Sequence, residues 1–240
     1  MSRNNVWMSV SDLMTGLMVI FMFIAVAYIK RVQDSTSILN DFVENKQELH
    51  DKLKDKFENE EKEGILTIGG DLSMRFQQAQ SLFETGSWQL RPEFQSQLAE
   101  ILPKYLNILL NDSLRTKIRE IRIEGHTDMR PYPSIDPDPY IANLILSQRR
   151  ALSVMQFMRK LPEYKAYSDN DKRLLEYWFT ANGLSYGRAL DKNNEIAYVS
   201  QKPADLDKSR RVEFRIITAG EEVLEHFVQQ QPSQSTNKKQ

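Results

Sequence analysis

The sequence predicts an α+β protein with a single N-terminal transmembrane helix, a helical linker and a two-layer α/β sandwich. Residues 6–29 form one long apolar run, and residues 30–63 are rich in charge and include neither proline nor glycine. From Gly64 onward, stretches in which every second residue is apolar alternate along the chain with stretches of helical periodicity. This order is expected when helices cover a sheet. The predicted segments are a short N-terminus at 1–5, a transmembrane helix at 6–29, a linker at 30–63, a folded domain at 64–220, and a C-terminal helix with a disordered tail at 221–240.

The composition places one soluble domain beside the membrane helix. The chain has 240 residues, a formal net charge of −1 and 27% charged residues, which is enough for one domain of about 150 residues. General nucleic-acid binders instead carry a basic patch or stripe. The lack of cysteine excludes a disulfide framework and a thiolate metal site. The sequence also has no GxxxxGK[ST] phosphate-binding loop.

Residues 6–29 are long enough to cross a bilayer as a helix. At about 1.5 Å per residue they span roughly 36 Å, against a hydrocarbon layer of about 30 Å. Trp7 and Tyr28 suit the two interfaces, where aromatic side chains collect. Asp12 then lies inside the apolar layer, where ionisable groups are costly and usually functional.

One side of this helix is small and polar. Its members follow one another at helical spacing, namely Asn5, Ser9, Asp12, Thr15 and Gly16. Such a stripe presents a site to neighbouring helices, and other subunits must supply them because the chain has no second long apolar run. Two alternatives stay open. Asp12 only caps the helix near the lipid headgroups, or the segment is a signal peptide cleaved near Ala27.

The linker has the pattern of an exposed helix. Leu39, Phe42, Leu49 and Leu53 follow one another at steps of three, seven and four residues with charges between them. This pattern predicts either a short two-stranded coiled coil or a solvated spacer without a partner. As a helix the linker would reach roughly 45 Å from the membrane.

The folded domain is predicted to alternate strands and helices. Alternating apolar residues predict strands at 64–70, 118–124 and 212–218, with an extended stretch at 74–82. Helical periodicity predicts helices at 91–111 and 143–160 and a short one at 221–229. The stretch at 174–180 is predicted as a short helix or strand, and the proline-rich 129–141 as a loop.

Four motifs of this domain resemble the OmpA-like peptidoglycan-binding family over roughly residues 70 to 218. They occur in the family's order: IEGHTD at 123–128, NxxLSxxRA at 143–151, GLSYG at 183–187 and RRVE at 210–213. Three departures affect the shape of the site. Ser209 replaces the usual Asn, Arg188 replaces a common acid, and the loop at 129–141 is longer than usual.

The resemblance implies a site for the diaminopimelate of a cell-wall stem peptide. Asp128 would accept from the ammonium and Arg150 would grip the carboxylate. Asn143 and Thr127 would add neutral hydrogen bonds, and Arg210 would border the pocket. From the residues alone, Asp128 capping a turn and pairing with Arg150 is the alternative. His126, without convergent ligands, is predicted to be structural rather than a metal ligand or a general base.

The N-terminal segment resembles the membrane helix of flagellar-type (MotB-like) stator B subunits. The matching residues are Trp7 and then Asp12-x-Met14-Thr15-x-Leu17-Met18. The short motif Ser11-Asp12-Leu13-Met14 is more similar to the B subunits of Zorya anti-phage defence systems than to flagellar ones. That family's layout is a membrane helix with one acid, a spacer and an OmpA-like domain, which is the layout predicted for this whole chain.

This second resemblance implies an ion-driven motor in the bacterial inner membrane. A homodimer would stand inside a ring of five copies of a larger membrane A subunit similar to MotA, with its N-terminus cytoplasmic and its domain periplasmic. Asp12, flanked by Ser9 and Thr15, would carry the ion, a proton, while the domain holds peptidoglycan. The chain itself would be no enzyme, bind no cofactor, metal or nucleic acid, and act on cytoplasmic defence effectors indirectly. A flagellar stator subunit and a passive wall anchor are the alternatives.

Overall fold

A single unbroken helix forms the first part of the chain. The computed structural model describes residues 3–76, 82–218 and 220. Helix α1 runs over Arg3–Lys56, 54 residues, which corresponds to about 80 Å. It does not break at the change from apolar to charged sequence because no proline or glycine occurs between Gly16 and Gly64. Its stretch Leu13–Gln33 is long and apolar enough to cross a membrane, and none of that stretch is buried.

The last turns of α1 pack into the folded domain. Leu49 and Leu53 of α1, and Phe57 directly after it, are all 0% exposed and belong to the main hydrophobic core. The coiled-coil prediction is therefore wrong for Leu49 and Leu53, since their side chains are covered by their own domain. The predicted domain start at residue 64 stays a prediction, but side chains before it contribute to the same core.

Ion pairs reinforce this attachment of α1. Glu48 pairs with Lys117 at 2.5 Å and with Lys52 at 2.8 Å. Hydrogen bonds from these two lysines hold the pKa of Glu48 down at about 2. After α1, the short helix α2 (Glu58–Lys62) adds Glu60, which pairs with Lys104 at 2.8 Å.

The domain contains a five-stranded mixed sheet. Its strands are β1 (Leu66–Ile68), β2 (Ser73–Phe76), β3 (Ile118–Gly125), β4 (Phe179–Gly183) and β5 (Val212–Thr218). They lie in the order β1-β2-β5-β3-β4. Only the pair β3–β4 is parallel among these described strands; the other neighbours are antiparallel. The predicted strands at 64–70, 118–124 and 212–218 are confirmed.

Helices form the second layer of the sandwich. The longer ones are α3 (Pro92–Leu109), α5 (Pro139–Lys160) and α7 (Asp169–Trp178), and the short ones are α4 (Asp112–Arg115), α6 (Pro162–Ala166), α8 (Ala197–Ser200) and α9 (Leu206–Ser209). Helix α5 packs on β3 and β4, and α7 packs on β3. The predicted apolar face of α3 is buried: Phe94, Leu98, Ile101, Leu102, Tyr105 and Leu109.

Two boundaries differ from the prediction. Helix α5 begins at Pro139, so the end of the predicted loop 129–141 is helical. Asp138 caps it by accepting a 2.7 Å hydrogen bond from the Tyr140 amide, and proline suits the first helical position. The ambiguous stretch 174–180 contains both elements, because α7 ends at Trp178 and β4 starts at Phe179.

Some predictions fall outside the described residues. The extended stretch 74–82 is a strand as far as Phe76, and residues 77–81 are not described. The predicted helix at 221–229 and the tail after it lie beyond the described chain. In α1, the backbone of Ser9 and Asp12 is helical, but their side chains are likewise outside the described part.

Candidate functional site

The register of the sheet brings two predicted motifs together. In the antiparallel pair β3–β5, Gly125 lies opposite Val212. The residues that follow β3 therefore meet the residues that precede β5. The His126 amide donates to the Arg211 carbonyl at 3.0 Å, and two residues later Asp128 reaches Arg210.

Two glycines let α5 approach the ends of β3 and β4. A Cβ on Gly125 would lie 2.1 Å from the Ser147 carbonyl oxygen, and one on Gly183 would lie 2.4 Å from the Gln148 nitrogen. Side chains in either place would push α5 away from the sheet, since real Cβ atoms do not approach that closely. The glycines thus bring the middle of α5, including Arg150, over the strand ends.

Asp128 is fully buried and already paired. Its Oδ1 accepts a 3.0 Å bond from the Arg130 amide, which closes a turn. Its Oδ2 lies 2.5 Å from Nη1 of Arg210 and 3.3 Å from Nε of Arg130. The side chain has 0% exposure. An ammonium group would reach this carboxylate only after one of the two arginines had moved.

Arg150 does not pair with Asp128 directly. Its Nε donates to the Ser87 carbonyl at 2.9 Å, and its Nη2 donates to the Glu84 carbonyl at 3.3 Å. The guanidinium lies over the Phe83 ring, 4.9 Å from the centroid. Burial lowers the pKa of Arg150 to about 10, so the group stays charged at neutral pH. Direct pairing with Asp128, the alternative drawn from the residues alone, is not what holds Arg150.

The three other predicted residues, Asn143, Arg210 and Thr127, lie around Asp128 and Arg150. Nδ2 of Asn143 donates to the Arg130 carbonyl at 2.8 Å, which ties α5 to the long loop. Arg210 also bonds Asp207. Burial opposes the charge on Arg210, but the hydrogen bond and charge of Asp128 outweigh it, so its pKa is raised. Oδ1 of Asn143 and Oγ1 of Thr127 are buried and make no hydrogen bond within the described chain.

A polar cavity of about 450 Å³ opens beside these residues. Its lining is dominated by arginine and includes two carboxylates; it comprises Phe83, Glu84, Thr85, Arg91, Arg130, Tyr132, Arg150, Asp207 and Arg210. Of the predicted site residues, Arg150 and Arg210 line it directly, and Asp128 lies beneath them.

Sequence reasoning missed Arg91, Arg130 and Tyr132. Arg91 directly precedes α3, at the start of the predicted helix, and Tyr132 lies in the proline-rich loop, so no motif marked either of them as a site residue. Gly86, at φ +70°, allows a tight turn against the Tyr132 ring. The position of Arg130 next to Asp128 could have been predicted, because an aspartate commonly accepts a hydrogen bond from the backbone amide two residues later.

A second buried polar cluster lies at the same end of the sheet. Glu213 is opposite Glu124 on β3 and opposite Arg75 on β2. Ligand atoms of Glu124, His126 and Glu213 lie within 4.8 Å of one another. Arg211 and Arg75 both pair with Glu213, however, and these cations compete with any metal for that carboxylate.

His126 stays neutral in this cluster. Burial lowers its pKa, with Arg211 adding to the effect. Its Nε2 is 3.6 Å from Glu124, and neither ring nitrogen makes a hydrogen bond to the described residues. The surroundings fit the structural role predicted for this histidine.

On the membrane helix, only Thr15 of the predicted ion-path residues has a described side chain. Its Oγ1 donates to the Ser11 carbonyl one turn earlier, at 2.8 Å. Its surroundings on α1 are exposed and apolar, including Met14 and Met18. Ser9 and Asp12 share its helix face by backbone position.

The chain is similar over nearly its whole length to a known protein. It is 31% identical over 234 residues to the Zorya protein ZorB of Escherichia coli, covering 95% of this chain and 94% of the relative. No protein-family model matches it.

Solved structures show weaker likenesses. The periplasmic domain of Helicobacter pylori MotB is 17% identical and has a TM-score of 0.40, covering 67% of this chain and 87% of that one. The OmpA-like domain of FopA1 from Francisella tularensis is 18% identical and has a TM-score of 0.36, covering 64% and 81%. The family assignment rests on the full-length relative alone.

Proposed function

We propose, because the chain belongs to the ZorB family of Zorya proteins, that it is the wall-anchored B subunit of an ion-driven motor of an anti-phage defence system in the inner membrane. The observation that carries the proposal is that one helix connects a segment of membrane type to a folded domain. An exposed apolar stretch next to Asp12 continues without a break into a domain with an arginine-lined pocket.

In the membrane, Asp12 would carry the ion, a proton. A carboxylate away from water is costly when charged, so protonation lets it pass a dry interface. One charge moving through 100 mV supplies about 2.3 kcal/mol. Thr15 and Ser9, one turn away on either side, would offer hydroxyl oxygens to the same path.

The apolar stretch needs partners to become a motor. All of Leu13–Gln33 is exposed, so neighbouring helices must come from other chains. These helices would come from a second copy of α1 and from a ring of five copies of a larger MotA-like subunit. The N-terminus would then face the cytoplasm and the domain the periplasm. Any attack on phage DNA would belong to cytoplasmic effectors that respond to the turning ring.

In the periplasm, the pocket would hold a peptidoglycan stem peptide. Arg150 and Arg210 line it and offer guanidinium forks for a carboxylate. Asp128 lies beneath them, and Asn143 and Thr127 keep unpaired buried oxygens nearby. An anchored dimer gives the ring a fixed body to push against, which is the role of a stator rather than of an enzyme.

The central experiment separates a motor from a tether. Asp12→Asn removes the ionisable group with little change in size, and we expect phage protection to be lost while membrane insertion and expression persist. Plaque counts on cells with the complete defence system measure the effect. Asp34→Asn, the same change beyond the apolar stretch, is the matched control and should protect like the wild type. If cells with the Asp12→Asn variant were fully protected from phage, the chain would be a passive anchor and not a motor subunit.

A second experiment tests the anchor. Arg150→Gln should weaken co-sedimentation of the full-length protein with purified sacculi, because it removes a charged donor from the pocket. Arg159→Gln, on the far part of α5, is the control. Its guanidinium pairs with the exposed Glu176, so sacculus binding should be unchanged. Equal binding by both variants would contradict the assigned pocket.

A further inference from the structure

We infer that residues 221–229 dock as a short amphipathic helix on α1, on the part of its core-facing side that extends beyond the domain toward the apolar stretch. The occupant of that surface is thus a segment of this same chain. The inference goes beyond the proposed function, because it involves neither Asp12 nor the pocket. It gives the C-terminal segment the role of a brace that stiffens the linker.

The side of α1 that faces the core continues past the domain. Leu49 and Leu53 on this side are 0% exposed. Phe42 lies seven residues before Leu49, so it shares that face, and it is only half-buried. Leu39 lies on the same face by its backbone position, and Val43 next to Phe42 is 61% exposed. The cover over α1 therefore thins out toward the apolar stretch, where this side still carries apolar residues.

The end of the sheet delivers the chain to this surface. Strand β5 ends at Thr218, and two residues later Gly220 lies against the side chain of Phe42. A Cβ on Gly220 would lie 2.5 Å from Cδ2 of Phe42 and 2.9 Å from its Cβ, which is closer than real side chains approach. Glycine lets the backbone pass this near. The segment that follows Gly220 therefore starts beside α1, at the level of Phe42.

The sequence after Gly220 has the pattern of an amphipathic helix. Its apolar residues occupy positions i, i+1, i+4 and i+5, which form one side of a helix: Val223, Leu224, Phe227 and Val228. Three glutamates lie outside that side, and Pro232 follows the segment and would end a helix. A helix this short is unstable alone in water, so its apolar side needs a partner.

Length and charge both fit the segment to this surface. Nine helical residues cover about 13.5 Å, and Phe42 lies nine residues, the same distance, from the end of the apolar stretch at Gln33. The direction follows from burial, since the domain covers α1 on the other side of Phe42, at Leu49. Nζ of Lys46 lies 6.0 Å from the centroid of the Phe42 ring, close to the point where the glutamates of the segment begin. Opposite charges therefore meet at the start of the docked helix.

Engineered disulfides test the docking, because the chain has no cysteine of its own. In the antiparallel arrangement Leu224, four residues after Gly220, comes level with Leu39. Leu39→Cys combined with Leu224→Cys should form an intramolecular disulfide in most chains when the full-length protein is mildly oxidised in membranes. Asn40→Cys with Leu224→Cys is the matched control. Asn40 is exposed and lies about 100° further round the helix, so this pair should stay reduced. Equal disulfide formation in both pairs, or none in either, overturns the inference.

A second copy of α1 is the competing occupant, and the single Leu39→Cys variant detects it. Docking of residues 221–229 covers Leu39 within one chain, so the oxidised variant should run as a monomer on a non-reducing gel. A coiled coil of two linkers would bring the two cysteines together and give a disulfide-linked dimer. That dimer would rule out the docked segment and would leave the proposed motor subunit in place.

Amide hydrogen exchange measures the bracing itself. In a chain that ends at Gly220, the amides of residues 34–43 should exchange about tenfold faster than in the full-length protein, because a local support is lost. The amides of residues 49–56, which the domain covers, should not change. Phe227→Ser, on the apolar side of the segment, should reproduce the faster exchange, whereas Gln229→Ser, on its other side, should not. If truncation and Phe227→Ser both leave the exchange of residues 34–43 unaltered, the segment does not brace α1 and the inference fails.

Discussion

The apolar stretch of α1 and the arginine-lined pocket are built in opposite ways. No part of Leu13–Gln33 is buried, and its side chains are offered to whatever surrounds the helix. At the pocket, Asp128 and Arg150 are buried and held by groups of their own chain. The difference teaches that the first region can be covered only by neighbouring molecules, whereas the second is held in place by contacts within one subunit.

The largest expected effect concerns the folding of the domain. Phe57→Ala should destabilise the domain by about 3–5 kcal/mol, because Phe57 is 0% exposed in the core. Phe23→Ala, the same change at a 65% exposed site of the apolar stretch, should leave the unfolding of the domain unchanged. Urea unfolding followed by tryptophan fluorescence measures both. Similar results for the two variants would break the contrast between the regions.

The next effect links the sheet to the pocket. Gly125→Ala should cost about 1–3 kcal/mol through overcrowding, since its Cβ would lie 2.1 Å from the Ser147 carbonyl. The displaced α5 should carry Arg150 with it and weaken sacculus binding. Gly70→Ala meets nothing within 4 Å and serves as the control. A Gly125→Ala protein with full stability and full binding would show that the close approach is dispensable.

A smaller effect concerns pH. Burial lowers the pKa of His126 below its ordinary 6.5, so the unfolded chain takes up a proton more readily than the folded one. Stability should therefore be complete above about pH 6.5 and decline as the pH falls through 6.5 towards the folded value. His126→Gln should flatten this decline in urea unfolding measured at pH 7.5 and at pH 5.5. An unchanged slope in His126→Gln would assign the decline to other groups.

The smallest effect concerns Thr15. Thr15→Val removes a hydroxyl that bonds only its own helix at Ser11, so the amount of protein and its helix content should hardly change. Thr36→Val removes the same kind of bond, to Val32 at the same 2.8 Å, beyond the apolar stretch. We expect partial loss of phage protection for Thr15→Val and none for Thr36→Val. Equal protection by both would remove Thr15 from the proposed ion path.

Much of the fold could be predicted because local patterns coincide with the tertiary structure. The apolar face of α3 and the isoleucines of β3 are buried as predicted, but Glu124, predicted on the polar face of that strand, is buried as well. The boundary between α7 and β4 could not be predicted, since Trp178 and Phe179 are both apolar and no glycine or proline separates them. The predicted resemblance to Zorya B subunits is confirmed by the full-length relative.

The candidate pocket was predicted only in part. Arg150 and Arg210 stand in motifs that could be read from the sequence, and both line the cavity. Arg91 reaches the cavity through long-range topology, which no local pattern encodes. The pairing of Asp128 with Arg210 follows from the register of β3 and β5, so it could be seen only once the sheet was known. The roles of Asp12, Ser9 and Thr15 stay predictions.

The unbroken course of α1 makes the distance and the angle between membrane and domain a matter of residue count. From the end of the apolar stretch at Gln33 to Leu49, which is buried in the core of the domain, the helix rises about 24 Å. Each residue inserted in that interval would lift the domain by about 1.5 Å and swing it by about 100° about the helix axis. A helix without a hinge therefore fixes the rotational angle, about the helix axis, between the position of Asp12 and the direction in which the pocket faces.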